Sequence, residues 1–190
     1  MTRTLAIVIL ASALPAAAQD QGWIIRFDQA LVTPADPVFW VECWAYFPTD
    51  DYAFAGALWN LHASEEGWGD LGGSMLKYTG PGEPPFISGS SVFRIVDGQL
   101  NFPPAGIYAD PTNPIAVWHA NFEVTDLTPR DITIRTETRQ GAIYPLRESS
   151  ASEQRPWTEG EGVIRVIPAP GALGLLGLGA LAGAPRRRRP

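Results

Sequence analysis

The sequence predicts an all-β chain folded as an antiparallel β-sandwich, and three observations carry that expectation. Segments enriched in β-branched and aromatic residues recur along the middle of the 190-residue chain. Turn formers separate them at residues 34–37, 48–51, 80–82, 97–98 and 110–114. No stretch of the middle sustains helical periodicity for twelve residues without a Gly or Pro. Several short strands with regular punctuation form the pattern of two packed antiparallel sheets. A closed barrel is the alternative.

The expected strands, in order, begin with 23–27 (WIIRF), 38–47 (VFWVECWAYF) and 53–63 (AFAGALWNLHA). Segment 90–96 (SSVFRIV) follows and runs into Asp97-Gly98, a hairpin signal because both turn positions tolerate positive φ. Then come 115–124 (IAVWHANFEV), 131–139 (DITIRTETR) and 162–167 (GVIRVI), with shorter candidates at 99–102 and 142–146. Two stretches break the rhythm. Residues 64–89 read as one long Gly/Pro-rich connection, of a length that is usually functional or mobile. Residues 147–161 are polar around a single Trp157 and read as a second loop. No internal repeat is visible.

Both ends of the chain read as delivery rather than as domain. Residues 1–18 place Arg3 before an apolar run from Leu5 to Leu14, then Pro15 and three alanines. A charged start, an apolar core of about ten residues and small residues at Ala16 and Ala18 are the parts of a secretory signal peptide. The export machinery and signal peptidase would then leave Gln19 as the mature N-terminus. Removing residues 1–18 and 167–190 leaves 19–166, enough for one domain with a real core. That middle holds all 20 acidic residues but only 9 of the 14 basic ones, a net charge near −11. Such a surface repels phosphate backbones and argues against nucleic acid as a partner. The lone Cys43 excludes an intramolecular disulfide, and its parity with Phe39, Val41, Ala45 and Phe47 makes it a small core residue.

Chemistry-bearing candidates are few. One parity of segment 38–47 is apolar, and the other holds Trp40, Glu42, Trp44 and Tyr46. Two arrangements fit: a central strand covered on both sides, or an open face whose rings stack on sugars while Glu42 bonds hydroxyls. Trp68, in the long connection, joins the candidate binding residues. The acids Asp50, Asp51, Glu65, Glu66 and Asp70 form a second candidate, for calcium, which accepts six to eight oxygens. Their spacing matches no EF-hand or nonapeptide pattern, and solvated loop acids explain them as well. A carboxylate pair could also run glycoside hydrolysis, but only at a separation that sequence does not supply. His62 and His119 lie inside expected strands without metal-ligand, nucleophile-elbow or phosphate-loop motifs around them. The expectation is therefore no catalytic residue and no cofactor, with a polysaccharide as candidate ligand.

The tail runs Pro168-Ala169-Pro170, then an apolar segment from Gly171 to Ala184, then Arg186, Arg187, Arg188 and Arg189. This order resembles the PEP-CTERM sorting signal of exported bacterial proteins, with Ala169 in place of the middle glutamate. The resemblance covers about 25 residues and implies processing near 168–171 by an exosortase-like membrane transpeptidase. The apolar segment is about 21 Å as a helix, short of a hydrocarbon core of about 30 Å. Four arginines resist translocation and hold the C-terminus in the cytoplasm. The resemblance thus implies an inner-membrane intermediate, followed by release or attachment at the cell surface or outside the cell. The expected sandwich is of an Ig-like, cohesin-like or carbohydrate-module-like kind. Around residues 52–71 the middle is similar only to uncharacterised sandwich domains, which implies no biochemical role.

Overall fold

A computed structural model describes residues 20–73 and 85–167. The expected signal peptide with Ala16 and Ala18, and the sorting residues Pro168, Ala169, Pro170, Gly171 and Arg186 to Arg189, lie outside the described residues. In chain order the strands are β1 (Gly22–Phe27), β2 (Leu31–Val32), β3 (Val38–Tyr46), β4 (Ala53–Ala63), β5 (Trp68–Gly73) and β6 (Phe86–Ser88). They continue with β7 (Ser91–Gly98), β8 (Ile115–Glu123), β9 (Arg130–Tyr144), β10 (Glu153–Gln154) and β11 (Glu161–Val166). Among the described residues, no helix is long and apolar enough to cross a membrane.

These strands build two sheets. One has the order β1-β3-β8-β5, and the other β2-β11-β9-β4-β7-β6, with β10 added beside β9. Neighbours pair antiparallel except the two-residue contact of β2 with β11. Alternation along each strand sends one parity into the space between the sheets. Phe39, Val41, Cys43, Ala45 and Phe122 enter it from the first sheet, and Trp59, Leu61, Ile95, Ile132, Ile134 and Ile164 from the second. Phe39 stacks on Phe122 at 5.3 Å, and Trp23 lies 4.5 Å from Trp59. Each buried Val, Leu, Ile or Phe side chain contributes about 1.5–3 kcal/mol by leaving water. The chain is therefore an antiparallel β-sandwich.

Four local expectations are corrected. Asp97-Gly98 does not turn a hairpin. It ends β7 inside the sheet, opposite Ala57 and Gly56. The Asp97 side chain accepts the Gly98 N–H at 2.8 Å. A Cβ at Gly98 would lie 2.5 Å from the Ala55 carbonyl oxygen, so this glycine serves a close strand approach rather than a turn. Residues 99–102 form no strand, because buried amide side chains replace the ladder. Gln99 donates to the Phe54 and Asp110 carbonyls, each at 3.1 Å, and accepts the Asp110 N–H. Within the long connection, residues 68–73 are a strand after all. Trp68 and Leu71 face inward, while Gly69 and Gly72 leave room for Asn121 and His119 of the neighbouring β8. The expected segment at 142–146 proves to be the end of β9, which runs without interruption to Tyr144.

Candidate functional site

Strand β3 sits second in the four-stranded sheet, and its polar-aromatic parity points away from the core. Trp40 is 39% exposed, and Glu42, Trp44 and Tyr46 are half-buried. Among the described residues, this face of β3 has the open one of the two arrangements that the sequence allows. Antiparallel register brings its neighbours alongside. Ile24 and Arg26 of β1 oppose Trp44 and Glu42, and Asn121 and His119 of β8 oppose Trp40 and Glu42. Beyond β8, Gly69 and Gly72 of β5 oppose Asn121 and His119, so the face falls away into a low edge.

The three rings are not equivalent. The Trp44 indole N–H donates to Glu42 Oε2 at 2.9 Å, and the Arg26 guanidinium lies over the Trp44 ring at 4.1 Å. Arg26, Trp44 and Glu42 are thus bound to one another. Tyr46 runs beside Gly22, where a Cβ would meet its hydroxyl at 2.6 Å. Trp40 is the ring turned most toward solvent. It meets His119 edge-on at 5.4 Å, and its backbone N–H is anchored on Asp28 Oδ1 at 2.8 Å. Asn121, its register partner, donates to Asp70 Oδ2 at 3.1 Å. Trp68 does not belong to this surface. It is buried between the sheets, edge-on to Phe122 at 5.1 Å, with its N–H on the Ser90 carbonyl. That burial follows from its parity in β5, which the reading of 64–89 as a loop concealed.

The acids drawn together in sequence are separated in space. Asp50 and Asp51 precede β4 and Glu65 and Glu66 follow it, so an eleven-residue strand of about 3.3 Å per residue divides them. Asp51 is almost fully enclosed and held by both guanidinium nitrogens of Arg155, at 2.7 and 3.1 Å. Glu65 is gripped by Arg130, and Asp70 joins Asn121 on the outer face. Among the described residues, no three His, Cys, Asp or Glu side chains are grouped to hold a metal ion. On the aromatic face Glu42 is tied to Trp44 and Asp70 to Asn121, rather than opposed across a cleft as glycoside hydrolysis requires.

Sequence reasoning missed one polar constellation, on the outer face of the larger sheet. Ser91 Oγ lies 2.9 Å from His62 Nδ1, and His62 Nε2 lies 3.0 Å from Glu137 Oε2. Asn60 also donates to that oxygen, at 2.8 Å. These contacts, led by Asn60 and then His62, hold the Glu137 carboxyl below its ordinary range. The order resembles a nucleophile–base–acid relay. However, Ser91 opens β7 directly after the Gly89-Ser90 turn, and its backbone is paired in register with His62 and with Ser88. The constellation instead cross-links β7, β4 and β9. Cross-strand register alone could have revealed it, and register is not written in any one segment. Cys43 is likewise inert: burial pushes its thiol up to about 12, against a smaller pull from Trp59.

Comparison with protein-family models and with curated proteins finds no match for this chain. Among solved structures, the chain is similar to one from the crystal structure of a type I cohesin–dockerin complex of Clostridium thermocellum. The TM-score is 0.48 at 14% identity, over 78% of this chain and 100% of that one.

Proposed function

We propose that this chain is an exported, non-enzymatic protein of the cell surface or extracellular matrix, whose sandwich binds polysaccharide on the outer face of its four-stranded sheet. The observation that carries the binding reading is the outward placement of Trp40, Trp44 and Tyr46 on one face, with Glu42, Asn121 and His119 between and beside them. Sugar rings present apolar C–H faces to aromatics and hydroxyls to amides and carboxylates, and this surface offers both. Calorimetric titration against a polysaccharide panel tests it. Binding that Trp40→Ala abolishes supports the reading, and flat titrations across the panel remove it.

Delivery rests on the two ends of the sequence. The apolar run after Arg3 would direct export. The tail from Pro168 to the four arginines would hold the protein in the inner membrane until an exosortase-like transpeptidase cuts near Gly171. Mass spectrometry of protein from its native host is expected to find a mature N-terminus at Gln19 and a C-terminus upstream of Arg186. A mature form that retains residues 186–190 would end the processing reading.

A further inference from the structure

The charge around Trp40 selects among glycans. The geometry points to a ligand that is an extended polysaccharide carrying free amino groups, seated with an ammonium over the exposed Trp40 ring. This inference rests on the reading of the face as a glycan platform, and it adds the ligand's chemical class.

Three exposed carboxylates lie on the segments that flank Trp40. Asp28 is anchored to the Trp40 backbone N–H. Asp70 is bonded to Asn121, the register partner of Trp40. Glu123 lies two residues beyond Asn121 on the same side of β8, opposite Val38. A fourth carboxylate, Glu42, is two positions along β3. Among the described residues of this face the one guanidinium is Arg26, and it sits over Trp44 at 4.1 Å, away from Trp40. The net charge near −11 of residues 19–166 acts in the same direction. A uronate polymer would meet repulsion at every step of such a surface. A neutral glycan would meet the rings and donate hydroxyl bonds to the amides and carboxylates without any charge of its own. A protonated amino sugar gains a cation–π contact with an accessible indole face and charge-assisted hydrogen bonds to the acids beside it. The ring makes the site, and the carboxylates set its preference. Each exposed charge contact is weak, but a repeating polymer presents many amines, and linked contacts add.

The test compares three hexamers by calorimetry at a pH where the amine is protonated: β-1,4-linked glucosamine, β-1,4-linked glucose and a uronate oligomer, with hexalysine as a charge control. The glucosamine hexamer is expected to bind about tenfold more tightly than the glucose hexamer, and the uronate not at all. In the double variant Asp70→Asn with Glu123→Gln, which keeps an accepting oxygen at each position but removes the charge, that preference should fall to about twofold, with glucose affinity changed less than about twofold and the thermal midpoint preserved. Equal affinity for the two hexamers overturns the inference and leaves the glycan platform standing. So does a preference that survives the double variant. Hexalysine binding as tightly as the amino sugar also overturns it, since charge alone would then suffice. No binding by any saccharide removes the platform reading and this inference with it.

Discussion

The two outward surfaces of the sandwich obey the same alternation rule and use it differently. On the larger sheet, outward polar groups satisfy one another: Asn60 and His62 both reach Glu137, and His62 also meets Ser91. On the smaller sheet, Trp40 leaves a large part of its ring in solvent, and its polar neighbours are arranged around it rather than over it. A surface whose polar groups are internally paired holds strands in register. Exposed apolar side chains occur on the larger sheet too, as at Phe86 and Val163, so what sets the smaller sheet apart is an exposed indole in one row with two further aromatics and a ring of amide and carboxylate groups.

The comparison can be broken by mutating across a single strand. Phe39→Ala, on the inward side of β3, removes a fully buried ring stacked on Phe122 and should cost about 3–5 kcal/mol in urea unfolding. Its neighbour Trp40, on the outward side, stands at the opposite extreme. Next in size is Arg155→Met, which strands the enclosed Asp51 carboxylate. With Arg155 itself about one-third exposed, the expected loss is about 2 kcal/mol by the same measurement. A loss within error would mean that Asp51 relaxes into water.

A pH series probes the larger face. The folded Glu137 carboxyl titrates below its ordinary value, so the stability it contributes is complete above the unfolded carboxylate value of about 4.3. That contribution is lost as pH falls through the lower folded value. Glu137→Gln should therefore lower the thermal midpoint at neutral pH and flatten its decline below about pH 4. An unchanged acid limb would show that the contact with Asn60 and His62 does not persist in solution. The smallest expected change in stability is that of Trp40→Ala, under about 1 kcal/mol, although it should abolish saccharide binding. A large loss of stability there would make the exposed ring structural.

Much of the fold was legible because its signals are local. The strands at 23–27, 53–63 and 115–124 stand within a residue or two of their expected places, since β-branched and aromatic enrichment acts through each residue's own backbone. Asp97-Gly98 misled for the same reason. The dipeptide carries a local turn preference, but the approach of Ala55 and Gly56 claimed the glycine for packing. Residues 68–73 stayed hidden because glycines depress strand propensity, and the reason for glycine at 69 and 72, the side chains of Asn121 and His119 opposite them, lies on another strand.

The candidate site divides along the same line. The parity that groups Trp40, Glu42, Trp44 and Tyr46 follows from the two-residue period of a strand and is readable in that segment alone. Whether that parity met solvent or a second layer depended on which sheet β3 joined and what packed over it. The same holds for Trp68 in the core, for the acids parted by β4 and for His62 between Ser91 and Glu137. The sequence by itself determined the alternation, the class of fold and the acidity of the surface, because these are properties of single segments and of composition. Tertiary structure alone decided which ring stayed exposed and which carboxylates stood beside it, because register and sheet order bring together residues that no local period connects.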